Sequence, residues 1–157
     1  MKETGILFKP DMVKAILENR KTQTRRLIKD TAWLRDCEFD ESGPIVMDEY
    51  GEWHPLYCPY GGYGDRLYVK KNRFTSKAKA ELWLEITGVR VERLQDITEE
   101  DAKMEGIKIS PTTGAYLPGN YYRAIWAFKE LWQSIYGHDS WNQNPWVWVI
   151  EFKKVDV

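Results

Sequence analysis

A long alternating apolar segment that changes phase at a glycine constrains the fold more than any other feature of the sequence. The apolar positions have one parity before Gly88 and the opposite parity after it: Leu82, Leu84 and Ile86, then Val89 and Val91. Alternation with a period of two residues predicts a strand. A one-residue change of phase at a glycine is typical of a β-bulge, which bends and twists the strand. The segment therefore predicts the sharply bent strand of a small β-barrel.

Other segments predict helices and further strands around this one. The predicted strands are 5–8, 22–27, 66–70 and 146–153, and the predicted helices begin at Pro10, Thr98 and Tyr121. Residues 28–63 are rich in Gly and Pro and predict a long loop with a small hairpin around 45–47. We therefore expect one α+β domain over residues 1–157, a small β-barrel of about five to six strands with three short helices and a long inserted loop.

The composition excludes several classes of protein. The chain has 157 residues and a net charge of −1, and no apolar run approaches the roughly 18–20 residues of a membrane span. The first residues do not have the pattern of a signal peptide. Two cysteines are too few for a disulfide framework, so a reduced, cytoplasmic protein is expected. His54 and Cys58 lack the rest of a zinc ligand set, and we expect no metal and no cofactor.

The small net charge averages blocks of opposite sign. Residues 14–29 carry six basic side chains and one acid, 38–52 carry six acids and no base, and 66–79 carry six bases and no acid. Such blocks are usually solvated faces that balance one another. Two basic blocks on adjacent strands would instead form a cationic groove for a nucleic acid. The 14% aromatic content exceeds what one core needs, which favours rings at a surface or in a cleft.

The densest chemical segment is Asn19–Arg26, at the junction of the first predicted helix and the second predicted strand. Asn19 is expected to end the helix in a left-handed conformation. A lysine beside a hydroxyl activates a nucleophile when burial or cationic neighbours lower its pKa, and Lys21 is close enough in sequence to reach Thr24. Arg20, Arg25 and Arg26 supply such neighbours or clamp an anionic group. A purely structural basic strand edge is the alternative.

This motif and two later segments resemble the ASCH domains, compact β-barrels related to the PUA fold of RNA-modifying proteins. The matching residues are Lys21, Thr24 and Arg26, then Gly64-Asp65-Arg66-Leu67 and Val149-Ile150-Glu151-Phe152. Cys58-Pro59-Tyr60-Gly61 and Asn144-Pro145-Trp146-Val147 resemble the larger, phage- and prophage-type members. The resemblance covers most of the chain outside 28–62 and 107–120, and it implies a nucleoside or an RNA or single-stranded nucleic acid as the ligand.

The resemblance also implies a chemistry. Some small bacterial ASCH proteins are amidohydrolases that remove the acetyl group of N4-acetylcytidine with a Lys, a Thr and a Glu, to which Lys21, Thr24 and Glu105 correspond. In this scheme neutral Lys21 takes the proton of Thr24, whose oxygen attacks the acyl carbonyl. Arg26 or a backbone N–H stabilises the oxyanion, and Glu105 passes the proton to the leaving amine. The alternative for Glu105 is a solvated carboxylate at a helix end.

Basic and aromatic side chains are the expected substrate-binding residues, since they contact phosphates and stack on bases. They are Arg20, Arg26, Tyr60, Tyr63, Tyr68, Lys70, Lys71 and Arg73. Two positions depart from the family: Asn19 replaces a motif glycine, and Lys70-Lys71 stands where many larger members have Arg-Glu.

Two other functions remain open from the sequence. One is a non-catalytic module that binds RNA or single-stranded nucleic acid through the basic blocks. The other is a phage accessory protein that binds a host partner through residues 28–63, where the acidic block would imitate a nucleic-acid backbone.

Overall fold

The computed structural model describes residues 1–29, 31–41, 43–110, 112–113 and 122–156. It is a mixed α+β structure with two sheets and three helices in the described ranges. The larger sheet has the order β1-β6-β7-β8-β2: β1 Glu3–Leu7, β6 Arg66–Lys70, β7 Trp83–Arg93, β8 Trp146–Val155 and β2 Gln23–Leu27. The smaller sheet has the order β3-β4-β5: β3 Asp36–Asp40, β4 Gly43–Met47 and β5 Trp53–Pro55. The helices are α1 Pro10–Leu17, α2 Glu99–Met104 and α3 Arg123–Tyr136.

The prediction of a closed barrel of five to six strands is not confirmed. Within the described residues β1 and β2 stand at the two ends of the strand order, and no backbone pairing joins them. A side chain spans the opening instead, since Arg26 Nη2 donates to the Leu7 carbonyl oxygen at 2.7 Å. The inserted stretch also contains more structure than a loop, because it folds into the three-stranded second sheet.

The phase change at Gly88 is confirmed as a bulge. The antiparallel register between β7 and β8 shifts between Ile86 and Gly88. A Cβ atom at residue 88 would lie 3.0 Å from Glu151 Oε2, so a glycine suits this close approach of the two strands. The bulge lets one long strand curve around the core.

The large sheet is buried on both faces, which the alternation of β8 alone did not indicate. Trp148, Ile150 and Phe152 belong to one apolar cluster, with β1, β6 and α1. Val147 and Val149 belong to a second cluster, with α2 and α3. Because the helices cover this second face, residues 147–150 of β8 are all buried.

Local signals place the helix ends correctly. Asn19 has φ 61° after α1, and the Thr98 hydroxyl accepts a hydrogen bond from Asp101 N at 3.1 Å at the start of α2. The Glu99 carboxylate accepts hydrogen bonds from the backbone N–H groups of Ala124 and Ile125, which ties α2 to the first turn of α3. The predicted helix start at Tyr121 lies outside the described residues. Across the described ranges, none of the helices is both long and apolar enough to span a bilayer.

Candidate active site

Lys21 and Glu105, 84 positions apart in the sequence, meet in the interior. The two residues form an isolated antiparallel bridge, and each is 4% exposed. Lys21 Nζ donates to the Glu105 carbonyl oxygen at 2.9 Å and to Glu105 Oε2 at 3.0 Å. Glu105 is therefore a buried ion-pair partner, and its interpretation as a solvated helix-end carboxylate is wrong.

Gly106 makes this approach possible. Its φ is +84°, and a Cβ atom at this position would lie 2.7 Å from the Lys21 Cβ and 2.8 Å from the Ala15 Cβ. A glycine avoids the clash and adopts this left-handed conformation without the steric cost that an L-residue would meet. The end of α2 can then lie directly against the segment between α1 and β2.

Thr24 and Arg26 lie on the same face of β2. Arg26 Nε donates to Thr24 Oγ1 at 3.3 Å, and the guanidinium stacks over the ring of Phe8 at 4.9 Å. Thr24 is buried, whereas Thr22, which precedes the strand, is exposed and donates its backbone N–H to the Met104 carbonyl oxygen. The guanidinium thus lies beside the hydroxyl, where negative charge would develop on an attacked carbonyl.

Lys21, Thr24, Arg26 and Glu105 all line one cavity of about 220 Å³. It lies at the opening between β1 and β2. Its remaining walls are mostly apolar and come from β1, α1 and α3: Leu7, Phe8, Lys9, Met12, Phe128, Leu131, Trp132, Ile135 and Tyr136, with Arg25 from β2. The cavity therefore combines reactive polar groups with an aromatic wall, as ligand sites commonly do.

The surroundings of Lys21 lower the pKa of its amine. Burial is the largest cause and lowers the pKa of Lys21, and the nearby charges of Arg26 and Arg25 lower this pKa further. Glu105 acts in the opposite direction by pairing with the ammonium, but the pKa remains lowered overall. A lysine in this state can accept a proton from a hydroxyl.

Among the described residues no direct hydrogen bond joins Lys21 Nζ to Thr24 Oγ1. Both groups face the same cavity, and catalytic hydrogen bonds are often long in a free enzyme and shorten when substrate binds. The cavity therefore brings together a hydroxyl, an amine and a carboxylate, the three kinds of group that acyl transfer uses.

Most of the predicted substrate-binding residues lie away from this cavity. Arg26 lines it, and Tyr60 approaches the Arg26 guanidinium at 6.0 Å. Arg20 lies on the far side of Gly106, where it binds the Gly106 carbonyl oxygen and Glu18. The other five are elsewhere on the surface or the sheet: Tyr63, Tyr68, Lys70, Lys71 and Arg73.

Several residues at the cavity were not singled out from the sequence. Trp132 and Tyr136 stack at 4.3 Å between ring centroids and form part of the α3 wall, opposite Phe8 on the β1 side. Trp132 belongs to the buried face of α3 and packs in the second apolar cluster as well. The 3–4 spacing of α3 identifies its apolar face, but nothing in the sequence indicates that this face covers a site as well as a core.

The acidic block and His54 belong to the smaller sheet. Asp48, Glu52 and His54 are the one group with metal-ligand spacing in the described part of the chain, and Cys58 is not among them. His54 Nε2 lies 2.7 Å from Asp48 Oδ2, which explains the cluster as a hydrogen-bonded pair across the β4–β5 turn. Binding of a protein partner by this sheet stays a prediction.

No protein-family model and no curated protein matches this sequence. Among solved structures, the chain is similar to an ASCH domain from Lactobacillus crispatus JV V101, with 16% identity and a TM-score of 0.47 over 98% of this chain and 79% of that one. It is also similar to a protein from Enterococcus faecalis V583, with 14% identity and a TM-score of 0.45 over 99% of this chain and 81% of that one. A third similar structure, from Pyrococcus furiosus, has 15% identity and a TM-score of 0.41 over 99% and 98% of the two chains. The first of these structures is described as an ASCH domain, the family that the sequence motifs resemble. At these identities the similarity concerns the fold alone.

Proposed function

We propose that this protein is an amidohydrolase that removes the acyl group from a small, flat amide of the N4-acylated cytidine type. The observation that supports this most is the meeting of Lys21, Thr24 and Glu105 at one cavity of about 220 Å³. Lys21 serves as the base, Thr24 as the nucleophile and Glu105 as the proton carrier. Arg26, beside Thr24, stabilises the oxyanion.

The reaction has two balanced stages. Lys21 Nζ takes the hydroxyl proton of Thr24 while Thr24 Oγ1 bonds to the acyl carbon, and the carbonyl oxygen carries the negative charge beside Arg26. The C–N bond then breaks, and the leaving nitrogen receives a proton along the Lys21–Glu105 hydrogen bond. Water next cleaves the Thr24 ester, with Lys21 as base again. The net change is amide plus water to carboxylic acid plus amine.

The size and lining of the cavity favour a compact substrate. Sites for drug-sized ligands measure roughly 300–1,000 Å³, so this cavity suits one base-sized ring with a short acyl chain. Aromatic side chains of α3 provide a stacking surface for such a ring. Leu7, Ile135 and Tyr136 are about half exposed at the cavity's edge, where a ribose would lie.

Incubation with N4-acetylcytidine tests the proposal by the release of cytidine. Thr24→Ala is expected to lower turnover by about 10³-fold or more, since it removes the nucleophile. Thr24→Ser keeps a hydroxyl and should keep measurable turnover. Thr22→Ala removes an exposed hydroxyl two positions before Thr24 and should match the wild type. Absence of turnover in the wild type, or full turnover in Thr24→Ala, would contradict the proposal.

A second candidate function, binding of a single-stranded nucleic acid, is favoured by the turn after β6. Phe74 is 78% exposed, and the Arg73 guanidinium lies 4.7 Å from its ring centroid. Lys71 and Lys79 line the adjoining depression, where Lys71 pairs with Glu81 at 2.9 Å. An exposed ring among cations is the combination that binds unpaired bases and their phosphates.

Replacement of Lys70, Lys71 and Arg73 by Ala separates the two functions. Affinity for a fluorescent RNA oligonucleotide should fall, and its salt dependence should flatten by about 0.7 in slope for each phosphate that these cations neutralise. Nucleoside hydrolysis should not change, because none of these three residues lines the cavity. Replacement of Lys14, Lys103 and Lys153 removes the same charge elsewhere and serves as the control. Equal weakening of RNA binding in both triple variants would reject a specific surface.

A further inference from the structure

The two carboxylate oxygens of Glu105 are held by two different cations. Lys21 Nζ donates to Oε2 at 3.0 Å, and Arg25 Nη1 donates to Oε1 at 3.0 Å. The Arg25 side chain is 0% exposed and the Glu105 side chain is 5% exposed. Glu105 therefore has two charge partners in the interior, whereas an ion pair needs only one.

The second partner changes what happens when Lys21 loses its proton. In an isolated buried Lys–Glu pair, a neutral amine would leave the carboxylate as an uncompensated buried charge, which is strongly unfavourable. Here the Arg25 guanidinium remains, and arginine stays protonated throughout the pH range of proteins. The Glu105 carboxylate therefore keeps one cationic partner while Lys21 changes its charge.

Arg25 is itself held in place by a wider network. Its guanidinium donates to Gln23 Oε1 at 2.5 Å, to Glu92 Oε2 at 3.3 Å and to Asp101 Oδ2 at 3.4 Å. Arg90 lies behind these carboxylates and contacts Glu92, Asp101 and Glu151. Arg25 is thus fixed by packing and hydrogen bonds and cannot move with the proton of Lys21.

We propose that Arg25 is a positioning residue that holds the Glu105 carboxylate in place and compensates its charge, and thereby allows Lys21 to act as a neutral base. The inference rests on the proposed function, in which Lys21 must accept a proton from Thr24. Arg25 touches neither the nucleophile nor the acyl carbon in this scheme. It acts through Glu105.

The charged groups around Lys21 change its pKa in the direction that this role of Arg25 requires. Glu105 faces Lys21 from the end of α2, and Arg25 and Arg26 face it from β2. Lys9 and Tyr136 line the same cavity from the start of α1 and from α3. Burial is the largest cause of the lowered pKa of Lys21, and the Arg25 charge lowers this pKa further. Removal of Arg25 takes away that repulsion and leaves Lys21 as the sole partner of Glu105, so the pKa of Lys21 should rise.

NMR titration of lysine labelled with ¹³C at Cε and ¹⁵N at Nζ measures this directly in the full chain. The Lys21 signal is identified by its disappearance in Lys21→Met. We expect Lys21 to titrate at higher pH in Arg25→Gln than in the wild type. Arg25→Lys should raise the pKa of Lys21 by less, because one ammonium cannot hold Glu105 and Glu92 together. This variant replaces Arg25→Gln in the experiment if Arg25→Gln does not fold. Arg90→Gln removes a charge from the same network without touching Glu105 and should leave Lys21 unchanged.

Turnover of N4-acetylcytidine supplies the second measurement. In Arg25→Gln it should fall on the acid side of the pH profile, by about tenfold for each unit by which the pKa of Lys21 rises, and recover as the pH is raised. An unchanged Lys21 titration in both Arg25 variants would overturn the inference, as would an equal shift in Arg90→Gln. If the wild type shows no turnover but the pKa of Lys21 still changes in the Arg25 variants, the proposed function is rejected and the effect of Arg25 on Lys21 is supported.

Discussion

Replacement of Lys21 by methionine is expected to lower amide hydrolysis by about 10²–10⁴-fold, the usual contribution of a positioned base. Methionine has a similar length and no charge, so it can fill the space of a residue that is 4% exposed. Glu105 would keep its hydrogen bond from Arg25 at 3.0 Å and would not become an unpaired charge. The free energy of unfolding should therefore fall by less than the roughly 3–5 kcal/mol that removal of one partner of an isolated buried ion pair costs.

The pH dependence of stability distinguishes this variant further. The pKa of Lys21 in the folded state lies below its ordinary value of 10.5, so between these two pH values the unfolded chain binds more protons than the folded one. Stability of the wild type should rise with pH across that window and decrease again as the pH falls. Lys21→Met should lack this contribution.

Urea unfolding at several pH values measures the free energy of unfolding and its dependence on pH. The cytidine assay measures the activity of the same variant. Lys14→Met is the control, because the Lys14 side chain is 61% exposed and lies outside the cavity. It should change neither activity nor the slope of stability with pH. A Lys21→Met protein with wild-type turnover would reject Lys21 as the base.

Gly106→Ala is expected to damage both stability and activity. The left-handed φ of +84° costs an L-residue about 1–2 kcal/mol, and a new methyl group in a tight contact adds about 1–3 kcal/mol. The methyl group would push against Lys21 Cβ and Ala15 Cβ and so separate Lys21 from Glu105. A displacement of about 1 Å in a catalytic group can cost about 10²-fold in rate.

Gly64→Ala is a matched control for this experiment. Gly64 has the same φ of +84°, but a Cβ atom there would have nothing within 4 Å. The variant should show only the backbone contribution to the decrease in the free energy of unfolding, and it should keep its activity. Equal effects of the two substitutions would show that the contact between Gly106 and Lys21 is unimportant.

Local patterns predicted most of the elements of this fold. The bulge at Gly88, the left-handed Asn19 and the Thr98 cap depend on a few neighbouring residues, so they can be predicted from the sequence. Closure of the barrel could not be predicted in this way, because it depends on whether β1 and β2 come within backbone hydrogen-bonding distance. In the described residues the Arg26 side chain spans that opening instead.

The candidate site was only partly predictable for the same reason. Lys21 and Thr24 are three residues apart and were identified together, and Glu105 came from the family resemblance. The sequence predicts that Tyr60, Tyr63 and Tyr68 stack on the substrate, yet the rings that line the cavity include Phe8, Trp132 and Tyr136. Rings look alike in a sequence, and only the packing of α3 selects which of them cover the site.

The sequence by itself determined the residues available for chemistry and the elements that carry them. A lysine and a threonine at the start of a strand, a capped helix that ends in a glutamate and a glycine, and an amphipathic last helix all follow from short-range spacing. The tertiary structure decided their chemical state. Burial lowers the pKa of Lys21, and Arg25 compensates the charge of Glu105 through a hydrogen bond to its Oε1 atom. Both effects depend on the distance between charges and on the exclusion of water, and residues 84 positions apart acquire these only when the chain is folded.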